Sequence, residues 1–142
     1  MPAMTPRQTR LVRESFPTIR ERTETLVLLF YGRLFQLAPS VRSMFSGDLG
    51  IQMRKFRDML GALVDALDDF DQQRPKLRAM GLRHVGYGVV PEHYDTLAAA
   101  LLWALGHMLQ PDFPPEVKSA WAAFIDEVSA AMKAGPAELS SD

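Results

Sequence analysis

The chain has no cysteine. That excludes disulfides, thiolate catalysis, iron–sulfur clusters, zinc-thiolate sites and covalent attachment of a prosthetic group through C-x-x-C-H. Excess charge is missing too: 16 Lys and Arg stand against 17 Asp and Glu, a net charge of −1. Nothing in that balance calls for nucleic acid or an anionic membrane as partner. No apolar run reaches the roughly 20 residues that span a bilayer. The N-terminal stretch MPAMTPRQTRLVRESF lacks an apolar signal core. The expectation is a cytoplasmic protein. Strand signals are absent as well. No segment alternates apolar and polar residues for long, and no Asn-Gly or Asp-Gly hairpin turn occurs.

What is present is helical periodicity. At 142 residues the chain suits one domain, 1–142, with its core in 5–134 and a frayed tail, GPAELSSD, over 135–142. Residues 5–20 form a first helix, with Thr5 as N-cap and Pro6 in the first turn. Residues 21–37 form a second, rich in Leu26, Val27, Leu28, Leu29, Phe30, Tyr31, Leu34 and Phe35. Residues 41–45 make a short helical turn and SGDLG a loop. Residues 51–67 carry Phe56, Met59, Leu60, Leu63, Val64 and Leu67 on one stripe. DDFDQQRP reads as a polar connection. Residues 75–85 follow, with Leu77, Met80 and His84 in line. Pro91 opens the next helix, whose inner face runs from Tyr94 to Leu109. After PDFPPE, residues 115–133 bury Trp121 and Phe124. The expected fold class is all-α, six longer helices plus short turns.

Three polar side chains sit on apolar faces. His84 points inward with Leu77 and Met80, and a buried imidazole needs partners for both nitrogens. One can donate to a carbonyl a turn back, near Met80. The other calls for a hydroxyl, as in an ordinary core histidine, or for a metal. His93 and His107 lie off the apolar stripe of their helix, so no zinc cluster can form around His84. Any other ligands would have to come from a cofactor. Gln52, four residues before Phe56, is either an exposed first-turn residue or faces a cavity. Tyr31 lies among Val27, Leu28, Leu34 and Phe35. Its hydroxyl needs a buried partner, a backbone carbonyl being the ordinary one. Together the three describe one apolar pocket with an axial ligand and two donors.

These residues carry a resemblance. FYGRLFQLAPSVRSMF (30–45), QMRKFRDMLGALV (52–64), LRHVGYGVVPEHY (82–94) and AWAAF (120–124) resemble, in order and spacing, successive helices of the globin family. The pairing of Tyr31 with Gln52, and H-x-x-Y-G-V, is most similar to bacterial single-domain globins, to the heme domains of flavohemoglobins and to the Hell's Gate globin type. The resemblance covers residues 5–134. It implies the three-over-three globin fold and one non-covalent heme b (iron protoporphyrin IX) whose iron is held by His84. It implies Phe45, Phe56, Met80, Val89 and Tyr94 around the heme, and Tyr31 and Gln52 as distal donors to bound O2, NO or CO. Lys55, Arg83 and Tyr87 are candidates to meet the propionates, or ordinary surface.

The match also departs from the family pattern. Gln52 stands where vertebrate oxygen carriers have histidine, and Phe56 is bulkier than the aliphatic residue common at its position. Tyr94 matches a tyrosine that in flavohemoglobins joins a glutamate near the proximal histidine, but that glutamate position falls near Pro136. The expected activity is reversible O2 binding. The alternatives are NO dioxygenation served by a separate reductase, or a gas-sensing or interaction module. Gly86 and Gly88 are expected to allow a backbone turn that a Cβ would hinder.

Overall fold

The computed structural model describes residues 4–45 and 47–140, with side chains through 136. Residues 1–3, Ser46 of the expected loop and residues 141–142 of the expected tail lie outside the described residues. Among the described residues six α-helices and two 3-10 turns follow one another: α1 Pro6–Glu21, α2 Thr23–Leu37, η1 Pro39–Met44, α3 Leu49–Asp65, η2 Leu67–Asp69, α4 Phe70–Gly86, α5 Pro91–Leu109 and α6 Pro115–Ser140. No strand occurs among the described residues.

Local chemistry fixes most boundaries. Thr5 and Gln8 make a reciprocal capping box at α1, each side chain bonded to the other's backbone N–H at 3.1 and 3.0 Å. Asp48 accepts from Gly50 N–H at 2.7 Å and starts α3 inside the expected loop. Pro91 occupies the first turn of α5, and His93 Nδ1 accepts the Val90 N–H at 3.0 Å just ahead of it.

Two boundaries and one buried face differ from the sequence expectation. DDFDQQRP is helix rather than connection, because α4 begins at Phe70 and takes Pro75 into its interior. Tertiary contacts outweigh the lost backbone bond. Phe70 packs edge-on against Phe124 with centroids 6.5 Å apart, and Arg74 bonds both Asp71 at 2.8 Å and Glu127 at 2.9 Å. At the other end α6 runs on to Ser140, through residues 135–140 of the expected frayed tail. Leu28 is a third correction: it is 62% exposed, so it does not share the buried face of Tyr31.

The core is one cluster to which every α-helix contributes. Within it α4 packs on α6, α2 on α5, α1 on α6 and α2 on α3. Trp121 of α6 is fully buried, and its Nε1–H donates to Ser15 Oγ of α1 at 2.9 Å. That bond satisfies the one polar atom of the largest core side chain. No described helix is long and apolar enough to cross a membrane.

Candidate functional site

His84 lies in the last turn of α4, half-buried. Its Nδ1 is 2.7 Å from the Met80 carbonyl oxygen. A carbonyl can only accept, so Nδ1 carries the proton and Nε2 keeps its lone pair. The helix stops just beyond it for a backbone reason. Gly88 has φ +93°, the left-handed region. Gly88 N–H donates to the Val85 carbonyl at 3.0 Å and Val89 N–H to the His84 carbonyl at 3.1 Å. These two bonds around a left-handed glycine are the Schellman motif. The expectation for Gly86 is corrected: it is the last residue of α4 and a Cβ there would meet nothing within 4 Å. Tyr87 is 59% exposed but lies edge-on to the His84 ring, centroids 5.6 Å apart.

Tyr31 and Gln52, from α2 and α3, are brought together. The phenol is 3% exposed. Burial pushes its pKa up to about 12, and a hydrogen bond with the Gln52 side chain pulls it the other way. The Gln52 side chain from α3 thus lies within hydrogen-bonding reach of the Tyr31 phenol from α2. Aromatic rings hold the phenol in place. Phe30 lies 4.9 Å, Phe45 5.6 Å, Phe35 5.9 Å and Phe56 6.0 Å from it, centroid to centroid. Phe56 stacks in turn on Phe30 at 4.6 Å and 17°. These are favourable aromatic geometries, and together they leave the phenol ring little freedom.

The remaining candidates divide by burial. Met80 and Val89 are half-buried against the core, while Lys55 and Arg83 are exposed. Tyr94 is buried, its pKa raised by that burial, and the Lys133 ammonium lies 5.9 Å from its ring centroid. The other two histidines have other roles. His93 caps α5, and His107 stacks on Trp103 at 5.0 Å and 15°. No group of three or more metal-ligating side chains exists among the described residues. A groove of about 510 Å³, lined by residues such as Leu67, Phe70, Arg74 and Glu127, contains none of the candidate residues.

The sequence reading missed Gly81 and Gly135, where α4 and α6 meet backbone to backbone. A signal existed for Gly81, which falls on the Leu77 stripe in mid-helix, where glycine costs stability relative to alanine and calls for a packing explanation.

The family model for Globin matches residues 28–132, and the chain belongs to the globin family. It is 27% identical over 132 residues to an anaerobic nitrite reductase of Oryza sativa subsp. indica, covering 89% of this chain and 91% of the relative. It is 33% identical to hemoglobin subunit beta-1 of Somniosus microcephalus, covering 73% of this chain and 77% of that one. A flavohemoprotein of Rhodopirellula baltica is 28% identical over 78% of this chain, which spans only 28% of that protein's length. An engineered carbene transferase, derived from a Rhodothermus marinus protein described as a nitric oxide dioxygenase, superposes with TM-score 0.86 at 24% identity over 97% and 96% of the two chains. A bacterial globin from Campylobacter jejuni gives 0.84 at 22% over 97% and 100%. The fold is the all-α globin fold.

Proposed function

We propose that this globin binds one heme b non-covalently through His84 Nε2 and takes up O2 reversibly, as a single domain in the cytoplasm. The observation that carries the reading is the 2.7 Å contact between His84 Nδ1 and the Met80 carbonyl oxygen. With Nδ1–H given to the Met80 carbonyl at 2.7 Å, the ring is oriented and its Nε2 lone pair has no hydrogen-bond partner among the described residues. A neutral imidazole fixed this way is the usual form of a metal-bound histidine. A single imidazole suits heme iron, whose other ligands come from the macrocycle, and no group of three or more His, Cys, Asp or Glu that could hold a bare metal ion is gathered among the described residues. The absence of cysteine rules out thioether attachment.

When bound, the heme supplies a ferrous centre with an exchangeable coordination position. The protein's part is electrostatic. Tyr31 stays protonated at any physiological pH, because burial raises its pKa. Its O–H can donate to the negative end of a polarised diatomic ligand. Gln52, within hydrogen-bonding reach of the phenol, lends a second donor. A preorganised donor of this kind strengthens most where charge builds up on the acceptor. Phe30, Phe45 and Phe56 keep the donor dry and in place. Phe45, Val89, Met80 and Tyr94 would line the apolar macrocycle, with Lys55, Arg83 and Tyr87 at its exposed edge.

A second reading is NO dioxygenation with a separate reductase, favoured by the relatives named flavohemoprotein. The test of the first is the absorption spectrum of the purified protein, ferric, ferrous and with O2. A five-coordinate ferrous spectrum that converts reversibly on oxygenation supports it. A heme-free protein, or one six-coordinate without added ligand, sinks it. Catalytic NO consumption with an external reductant would establish the second.

A further inference from the structure

α4 and α6 touch at two reciprocal points. A Cβ on Gly81 would overlap the Met132 carbonyl oxygen and come to 3.0 Å from the Met132 Cα. A Cβ on Gly135 would overlap the Arg78 carbonyl oxygen and lie 3.2 Å from Leu82 Cγ. Each glycine therefore rests on a carbonyl of the other helix, three residues before that helix's own glycine. Among the described glycines only these two would meet backbone; those with neighbours elsewhere would meet side chains. Backbone cannot yield by changing rotamer, so the contact fixes how far α4 can slide or lift along α6. The next residue back from Gly81 is Met80, whose carbonyl holds His84 Nδ1–H at 2.7 Å. The contact, the accepting carbonyl and the imidazole thus lie within one turn of each other.

We infer that Gly81 and Gly135 are positioning residues for His84, and that the segment around Gly135 is a working part of the proximal side. The inference rests on His84 being the iron ligand. An alanine at either position must push α4 away from α6 and carry the Met80 carbonyl and the imidazole with it. The imidazole then meets the iron from a displaced, tilted origin, and the iron–histidine bond weakens.

The test uses the full-length holoprotein. Resonance Raman of the ferrous, ligand-free state reads the iron–histidine stretch in Gly81→Ala, Gly135→Ala and, as control, Gly86→Ala, where a Cβ meets nothing within 4 Å. Both notch variants should shift the stretch to lower frequency and lose heme to an apoglobin acceptor roughly tenfold faster, about 1.4 kcal/mol. The control should match wild type. In a His84→Gly background supplied with free imidazole, whose position is uncoupled from α4, Gly135→Ala should no longer move the band. An unshifted band in a folded Gly81→Ala or Gly135→Ala protein overturns the inference, as does a shift that persists with free imidazole. Failure of both variants to fold also overturns it, since the contact would then hold the fold rather than place the ligand. If wild type shows no iron–histidine band that His84→Gly abolishes, the heme assignment itself has failed.

Discussion

Tyr31 on α2 is 3% exposed and ringed by four phenylalanines, whereas His84 on α4 is half-buried and held by a carbonyl, a left-handed glycine and two glycine notches. The first residue is placed by side chains packing on side chains. The second is placed by backbone. α2 and α3 can therefore be tuned by residue choice within the cage. α4 is set by where its main chain starts, stops and touches α6, and its outer face is free to stay in solvent. The contrast predicts that changes near Tyr31 alter ligand behaviour in steps, while changes near His84 decide whether a cofactor is held at all.

The largest effect should come from His84→Ala. It should abolish the heme spectrum while the helical circular dichroism of the apoprotein stays near wild type, because His84 is only half-buried. A normal heme spectrum in that variant would break the assignment.

Next comes the pH dependence of the caged phenol, read on the apoprotein. Its folded pKa is raised from 10.0 to about 12 by burial. A raised folded pKa means the stabilisation is complete below the unfolded value and is lost as pH climbs through the folded one. Unfolding free energy should thus fall between pH 10 and 12. A two-unit shift corresponds to about 2–3 kcal/mol. Tyr94, also raised by burial, adds loss in the same direction. Urea titrations of wild type and Tyr31→Phe at pH 9 and 11.5 should diverge in their pH slope. Equal slopes would mean water reaches the cage.

Third, Tyr31→Phe should speed O2 release about ten- to a hundredfold, since a hydrogen bond to a charged acceptor contributes about 1.5–3 kcal/mol. Gln52→Leu should do less directly. The Gln52 side chain is within hydrogen-bonding reach of the phenol, so part of its effect passes through Tyr31, and the double variant should fall short of the summed singles. CO release should change much less in each. Stopped-flow rates for both ligands separate the cases; unchanged O2 release in Tyr31→Phe would remove the tyrosine from its role.

The same contrast explains what was legible in the sequence. Side-chain periodicity is written in residue types, so the stripes on α3, α5 and α6, the burial of Tyr31 and Trp121, and the Met80 carbonyl as partner of His84 could all be read. Backbone approach is not written that way. Gly81 and Gly135 look like weak helix positions, and Gly135 falls in a stretch whose polar end suggests a frayed tail. α4 starts early for a similar reason. Arg74 reaches Glu127 of α6, 53 residues away in sequence, and no local rule weighs that against Pro75. Gln52 stayed ambiguous because its neighbour, Tyr31, comes from another helix.

The smallest effect separates two glycines of the proximal turn, which the sequence alone treats alike. Gly88 has φ +93°. An L-residue there places its Cβ against the following carbonyl, at roughly 1–2 kcal/mol. Its amide also makes one of the two Schellman bonds that end α4. Gly88→Ala should therefore destabilise the apoprotein by about 1–2 kcal/mol, with fraying of the last turn and faster heme loss. Gly86 is helical with open space around it. Alanine there removes backbone entropy from the unfolded chain without a clash, so Gly86→Ala should be neutral or stabilise by up to about 0.5–1 kcal/mol. Denaturant midpoints of the two variants give the sign directly. Gly88→Asn sharpens the test, because asparagine tolerates the left-handed region better than alanine and should recover part of the loss. Equal destabilisation by alanine at both positions would show that the turn after His84 is set by something other than the left-handed glycine.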